Sequence, residues 1–224
     1  MPIDWFKFEN KDLDFPIYNN NPYISKGAWI VLFLVIFVSV MLQAEDSIFT
    51  ALLTMLLPLI ALLYFLKWDY HAIFQKPKAN DLVLAVLLFV CYIIYATIMA
   101  SVLHQLGFAG ASTLSIAELY TIPPLFFSIM GEEFTKLIPF LFFLRVCYKY
   151  SDNRKLSVIM SMIIVMLFFG SLHAENLNNL IFTIFVQGFG SIFEYIGYIK
   201  TKNVFISYIT HLLTDIFLIL LLAL

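Results

Sequence analysis

Residues 119–146 read LYTIPPLFFSIMGEEFTKLIPFLFFLRV. The run exceeds the roughly 20 mostly apolar residues a helix needs to cross a bilayer, yet it holds Gly131-Glu132-Glu133-Phe134-Thr135-Lys136 in its interior. A charge at bilayer depth costs about 3 kcal/mol on insertion scales, so three within five residues require partners. Helical spacing puts Lys136 beside either carboxylate, four residues after Glu132 and three after Glu133. One carboxylate is neutralised in that way. The other must be protonated, hydrated in a cavity, or bonded to another helix. Pro139 cannot donate to the carbonyl of Thr135, which predicts a distortion one turn after the carboxylates and a route for water to reach them. Pro123–Pro124 allows a break near the start of the run, and with it an extra short element.

The rest of the chain suits a membrane setting. Of 224 residues, 62% are hydrophobic and 12% charged, and the mean hydropathy is +0.93. A soluble domain has about 45–50% apolar and about 25% charged residues. This chain has too little polar surface to cover a water-facing body, which excludes a cytosolic enzyme and a disordered linker. With 13 Lys+Arg against 15 Asp+Glu there is no basic excess for nucleic acid. Cys91 and Cys147 lie in or beside apolar stretches and read as free thiols. The first 26 residues lack the basic start and short apolar core of a cleavable signal. They read as a cytoplasmic or interfacial tail, with Trp5, Phe6 and Phe8 at the membrane surface.

The expected fold is an all-α polytopic bundle of about seven transmembrane helices, or eight if Pro123–Pro124 splits the fourth, in a single domain over 27–224. The spans run Gly27 to Ala44, Ile48 to Leu66, Leu82 to Leu103, Leu119 to Val146, Leu156 to Leu172, Leu180 to Ile199 and Val204 to Leu224. Twelve basic residues then fall in alternate segments. Lys7, Lys11 and Lys26 precede the first span; Lys67, Lys76 and Lys78 follow the second. Arg145, Lys149, Arg154 and Lys155 follow the fourth, and Lys200 and Lys202 the sixth. The intervening loops, around Glu45–Asp46, from His104 to Glu118, and at Glu175–Asn176, have none. Basic residues collect on the cytoplasmic side, so the N-terminus is expected inside. Lys136 is the thirteenth.

Two further spans carry polar groups. The fifth ends in Phe168-Phe169-Gly170-Ser171-Leu172-His173-Ala174-Glu175-Asn176. The seventh holds His211-Leu212-Leu213-Thr214-Asp215, where the four-residue spacing puts His211 and Asp215 on one face and lets the carboxylate orient the imidazole. His71 and His104 read as surface residues. Glu194 reads as structural, reaching from the inner end of span six towards Lys200 or Lys202. Gly188 and Gly190 read as a close helix contact.

Glu132–Glu133, Phe169 to His173 and His211 to Asp215 match in order the Glu-Glu, Phe-x-x-x-His and His-x-x-x-Asn/Asp pattern of the CAAX-protease and bacteriocin-processing (CPBP, or Abi) intramembrane proteases. The chain resembles that family over its C-terminal half, 119–224. The family commonly has Arg four residues after the second Glu. Leu137 stands there, with Lys136 one position earlier. Glu-Glu-x-x-Lys is instead similar to the first motif of PrsW-type membrane proteases. The resemblance implies a membrane-embedded peptidase in the plasma membrane of a bacterium, cutting a membrane-associated peptide or protein.

Such chemistry needs an activated water, a stabilised oxyanion and a protonated leaving amine. The resemblance makes Glu132 the general base, assisted by His173. Glu133 would hold Lys136 or a neighbouring helix, and Asp215 would hold His211 at the oxyanion or the water. Lys136 and Phe169 are supporting residues. Glu132, His173 and His211 also form a three-ligand set for a divalent metal such as zinc, although no HExxH helix is present. Buried Glu, Lys, His and Asp suit a proton-coupled transporter too, but no inverted repeat relates the two halves. The missing Arg suits a non-catalytic scaffold or immunity protein. Counting at about 1.5 Å per residue from the inner ends puts His211 about 12 Å deep, Glu132 about 20 Å and His173 about 27 Å. That spread is too wide for one site.

Overall fold

The computed structural model describes residues 24–43, 47–108, 122–177 and 179–222. Trp5, Phe6, Phe8, Lys7, Lys11, the pair Glu45–Asp46 and the stretch 109–121 lie outside them. Among the described residues there are seven long helical segments and no strand. They are α1 Lys26–Leu42, α2 Ile48–Phe65, α3 Ala79–Gln105, α4 Ile122–Ser151, α5 Arg154–Leu172, α6 Leu180–Thr201 and α7 Val204–Leu222. Helices α2, α3, α5, α6 and α7 are long and apolar enough to cross a membrane; α1 is a shorter apolar helix.

Polar residues at the ends of the apolar runs set the boundaries. The Ser25 hydroxyl accepts from the Ala28 amide, and the Asn153 side-chain Oδ1 from the Leu156 amide, each satisfying an orphan donor at a helix start. Val83, Leu87, Val90, Ile94, Ile98 and Val102 recur along α3 and are all exposed. Phe37 of α1 and Ile60 of α2 are exposed as well. An outer surface this apolar suits lipid rather than water.

Helix α4 forms the centre, packing on α1, α2, α5 and α7. Its contact with α2 requires Gly131, where an added Cβ would lie 2.5 Å from Thr54 Cγ2 and 2.8 Å from its carbonyl oxygen. That approach places the next residue, Glu132, at the interface. Pro123 and Pro124 fall in the first turn of α4, where no backbone donor is needed. The helix continues through Pro139 to Ser151, so the distortion expected there does not end it.

Helix α6 is the irregular one. It passes from an α-turn, Leu180–Thr183, through a π-segment, Ile184–Gly188, and a 3-10 turn, Phe189–Ser191, into the regular helix Ile192–Thr201. The wide turn lies against α5, where Gly188 and Gly170 meet backbone to backbone. A Cβ on Gly188 would come 2.4 Å from the Met166 carbonyl oxygen.

The basic segments gather at one end. Arg145 donates to the Ile24 carbonyl at 3.0 Å, and the α2–α3 loop docks on the α6–α7 turn. There Val204 N donates to Ile73 O at 3.1 Å and Asn203 Nδ2 to Gln75 O at 2.8 Å. Lys200 is exposed, whereas Lys202, which lies in the α6–α7 turn as expected, is buried. It is 1% exposed, takes left-handed backbone (φ 54) and reaches back to the Ile199 carbonyl at 2.8 Å. Asn203 and Val204 are also buried, so the α6–α7 turn is sunk into the protein.

Candidate functional site

The sunken turn and a longer α4 remove the depth conflict. Helix α4 continues five residues past Val146 to Ser151. Glu132 is therefore nineteen residues before the end of α4, and His173 nineteen after the start of α5. At about 1.5 Å per residue both lie roughly 28 Å from the α4–α5 turn. His211 is only seven residues into α7, and the buried α6–α7 turn lifts it to meet them.

His211 joins two sets of groups. On the Nδ1 side lies a closed cluster. Nδ1 is 2.8 Å from Glu133 Oε1 and 3.3 Å from Lys136 Nζ. Lys136 Nζ is 2.5 Å from the same Glu133 oxygen and donates also to Glu194 Oε2 from α6. The Ser207 hydroxyl donates to Glu133 Oε2. The Glu133, Lys136 and Glu194 side chains are each 3% exposed. Glu194 is therefore not the inner-end residue expected to reach Lys200 or Lys202; it is the interhelical partner of Lys136. Buried charges persist only when paired and hydrogen-bonded, and this set ties α4, α6 and α7 together.

On the Nε2 side lies a cavity. Nε2 is 3.7 Å from Glu132 Oε2 and 3.6 Å from Asp215 Oδ2, whose side chains are 21% and 31% exposed. The cavity has a volume of about 730 Å³. Its wall includes Glu132, His173, Glu194, His211 and Asp215. Gln43, Ser47, Ala100, Pro124 and Leu221 line it at the ends of their helices away from the basic segments. Glu132 opens on this cavity, and Pro139 is not part of its wall. Among the described residues, Gln187 Oε1 on the same wall has no hydrogen-bond partner.

Phe169 organises the junction. Lys136 Nζ lies 4.7 Å from its ring centre, a cation–π distance. The His173 ring packs edge-on at 4.5 Å, while His173 Nδ1 bonds the Phe169 carbonyl at 2.9 Å. That bond turns the other ring nitrogen away from the backbone.

The structure thus brings Glu133, Lys136 and His211 into direct contact, sets Glu132 and Asp215 against the far side of the imidazole, and places His173 on the shared cavity wall. The metal set read from sequence, Glu132, His173 and His211, is not the one whose donors converge. Glu133, Glu194 and His211 are, with ligand atoms within 4.8 Å of one another. Sequence reading gave Glu194 a structural role but the wrong partner, and missed Ser207. A carboxylate fourteen residues into the apolar span that begins at Leu180 was the available signal for the first. Comparison with family models, curated proteins and solved structures finds no match.

Proposed function

We propose that the chain is a membrane-embedded endopeptidase of the CPBP type, which hydrolyses a membrane-associated peptide or protein at the cavity face of His211. One observation carries this reading. Of the two adjacent carboxylates, Glu133 is sealed in the ion cluster while Glu132 opens to the cavity beside His211, Asp215 and His173. A general base must reach the water it deprotonates, and only Glu132 of the pair does so. Glu132 takes the proton and His173 assists. His211, held at Nδ1 by Glu133 and with Nε2 facing the cavity in the field of Asp215, stabilises the oxyanion. Glu133–Lys136–Glu194 is the foundation of the site rather than its reagent.

The basic segments and the resemblance support seven crossings in a bacterial plasma membrane with the N-terminus inside. The cavity then faces the outer side, and substrate enters from there or from the outer leaflet. Buried pairing alone also suits a non-catalytic scaffold, and Glu132 separates the two. The test is cleavage of a panel of membrane-embedded reporter peptides by purified protein in liposomes. Native protein is expected to cut at least one reporter, and Glu132→Ala and His211→Ala to lose that cleavage while remaining folded. No cleavage of any reporter, or undiminished cleavage by Glu132→Ala, overturns the reading.

A further inference from the structure

Glu133 on α4, Glu194 on α6 and His211 on α7 present one ligand atom each within 4.8 Å of the others. Two carboxylates and an imidazole on three helices are the kind of donor set that binds zinc, with metal–ligand distances of about 2.0–2.2 Å. The set also has outer support, since Ser207 holds the second oxygen of Glu133. Beside it is a void of about 10 Å³, near the size of one water, lined by Glu133, Lys136, Glu194 and Ser207 on one side and by Leu137, Tyr195, Tyr198 and Val204 on the other. Three ligands plus a water is the usual form of an open zinc site.

A cation already stands at the focus of these donors. Lys136 Nζ is 2.5 Å from Glu133 Oε1, bonds Glu194 Oε2 and lies 3.3 Å from His211 Nδ1. An ion bound by the same three atoms would overlap it. We propose that Glu133, Glu194 and His211 form a divalent-metal site whose cation is supplied covalently, as the ammonium of Lys136. The native site is thereby closed to metal, and removing the ammonium opens it. A tethered cation cannot be lost to a chelator, so the α4–α6–α7 junction holds whatever the metal supply. The inference concerns the closed side of His211 and does not rest on peptidase activity.

The test uses full-length protein in detergent with Zn²⁺ or Co²⁺ as probe. Lys136→Ala is expected to bind one ion, to gain visible Co²⁺ absorption, and to rise in Tm by about 5–10 °C at 100 times the Kd. Native protein, Lys136→Met (which fills the space without charge) and Lys136→Ala/Glu194→Ala are expected to show none of this. Glu194-dependent metal binding by native protein overturns the proposal, and so does folded Lys136→Ala that binds no ion. If Lys136→Ala does not fold, Lys136→Ser, whose hydroxyl still reaches towards Glu133, is read by the same criteria.

Discussion

Glu194→Gln distinguishes two physical pictures of one residue by size of effect. If Glu194 reached the inner surface to meet Lys200, it would belong to an exposed pair worth about 0.2–1 kcal/mol. In the structure it is 3% exposed and accepts from Lys136, which is equally buried. Breaking such a pair costs about 3–5 kcal/mol where it leaves a buried charge without any partner, and Lys136 keeps Glu133. Gln keeps the volume, so no cavity adds to the loss, and its amide oxygen still accepts from Lys136. The low end, about 3 kcal/mol, is therefore expected. For a chain of this size that lowers Tm by about 6–12 °C, measured by thermal unfolding in detergent. A double-mutant cycle locates the interaction. Glu194→Gln and Lys136→Met should couple by about 1 kcal/mol or more, whereas Glu194→Gln and Lys200→Met should be additive. A loss below about 1 kcal/mol, or coupling to Lys200 instead of Lys136, refutes the reasoning.

Three other outcomes follow from the same structure. Gly188→Ala drives a methyl against the Met166 carbonyl and should cost about 1–3 kcal/mol, seen as a lower Tm; an unchanged Tm would mean that α5 and α6 separate freely. Asn203→Ala removes the bond to Gln75 O and the cap on Phe205 N. It should cost about 1–2 kcal/mol and speed proteolysis within 67–78, where the loop has lost its anchor. Peptidase activity should be unchanged by chelator, because Lys136 supplies the cation at the converging donors; loss of activity on chelation, restored by zinc, would contradict this.

The helices were legible because their signal is one-dimensional. A run such as Ile48 to Leu66 has to end where polar residues end it, and the structure stops that helix at Phe65. Helix α4 was harder, because Cys147-Tyr148-Lys149-Tyr150 is polar enough to read as loop yet continues the helix to Ser151. That extension evens the depths of Glu132 and His173, and apolarity does not report it. The spacing of Lys136 announced a buried pair with one of the two carboxylates, without choosing Glu133 over Glu132. Glu194 announced no such pair, since its partner is 58 residues away and the sequence offered Lys200 and Lys202 nearby. The π-segment and the sunken α6–α7 turn depend on Gly170 meeting Gly188 and on the α2–α3 loop covering Asn203. Gly188 did announce a close helix contact, but neither the identity of its partner nor the docking of the loop on Asn203 is encoded in a local pattern.

The most direct measurement is hydrolysis of a membrane-embedded reporter in water enriched in oxygen-18, with mass analysis of the new carboxyl end. The account predicts that native protein releases a product carrying one heavy oxygen from solvent, and that Glu132→Gln, with native-like Tm, slows its formation by about 100-fold or more. Product formed by Glu132→Gln at the native rate, or no product from native protein across the reporter panel, would contradict it.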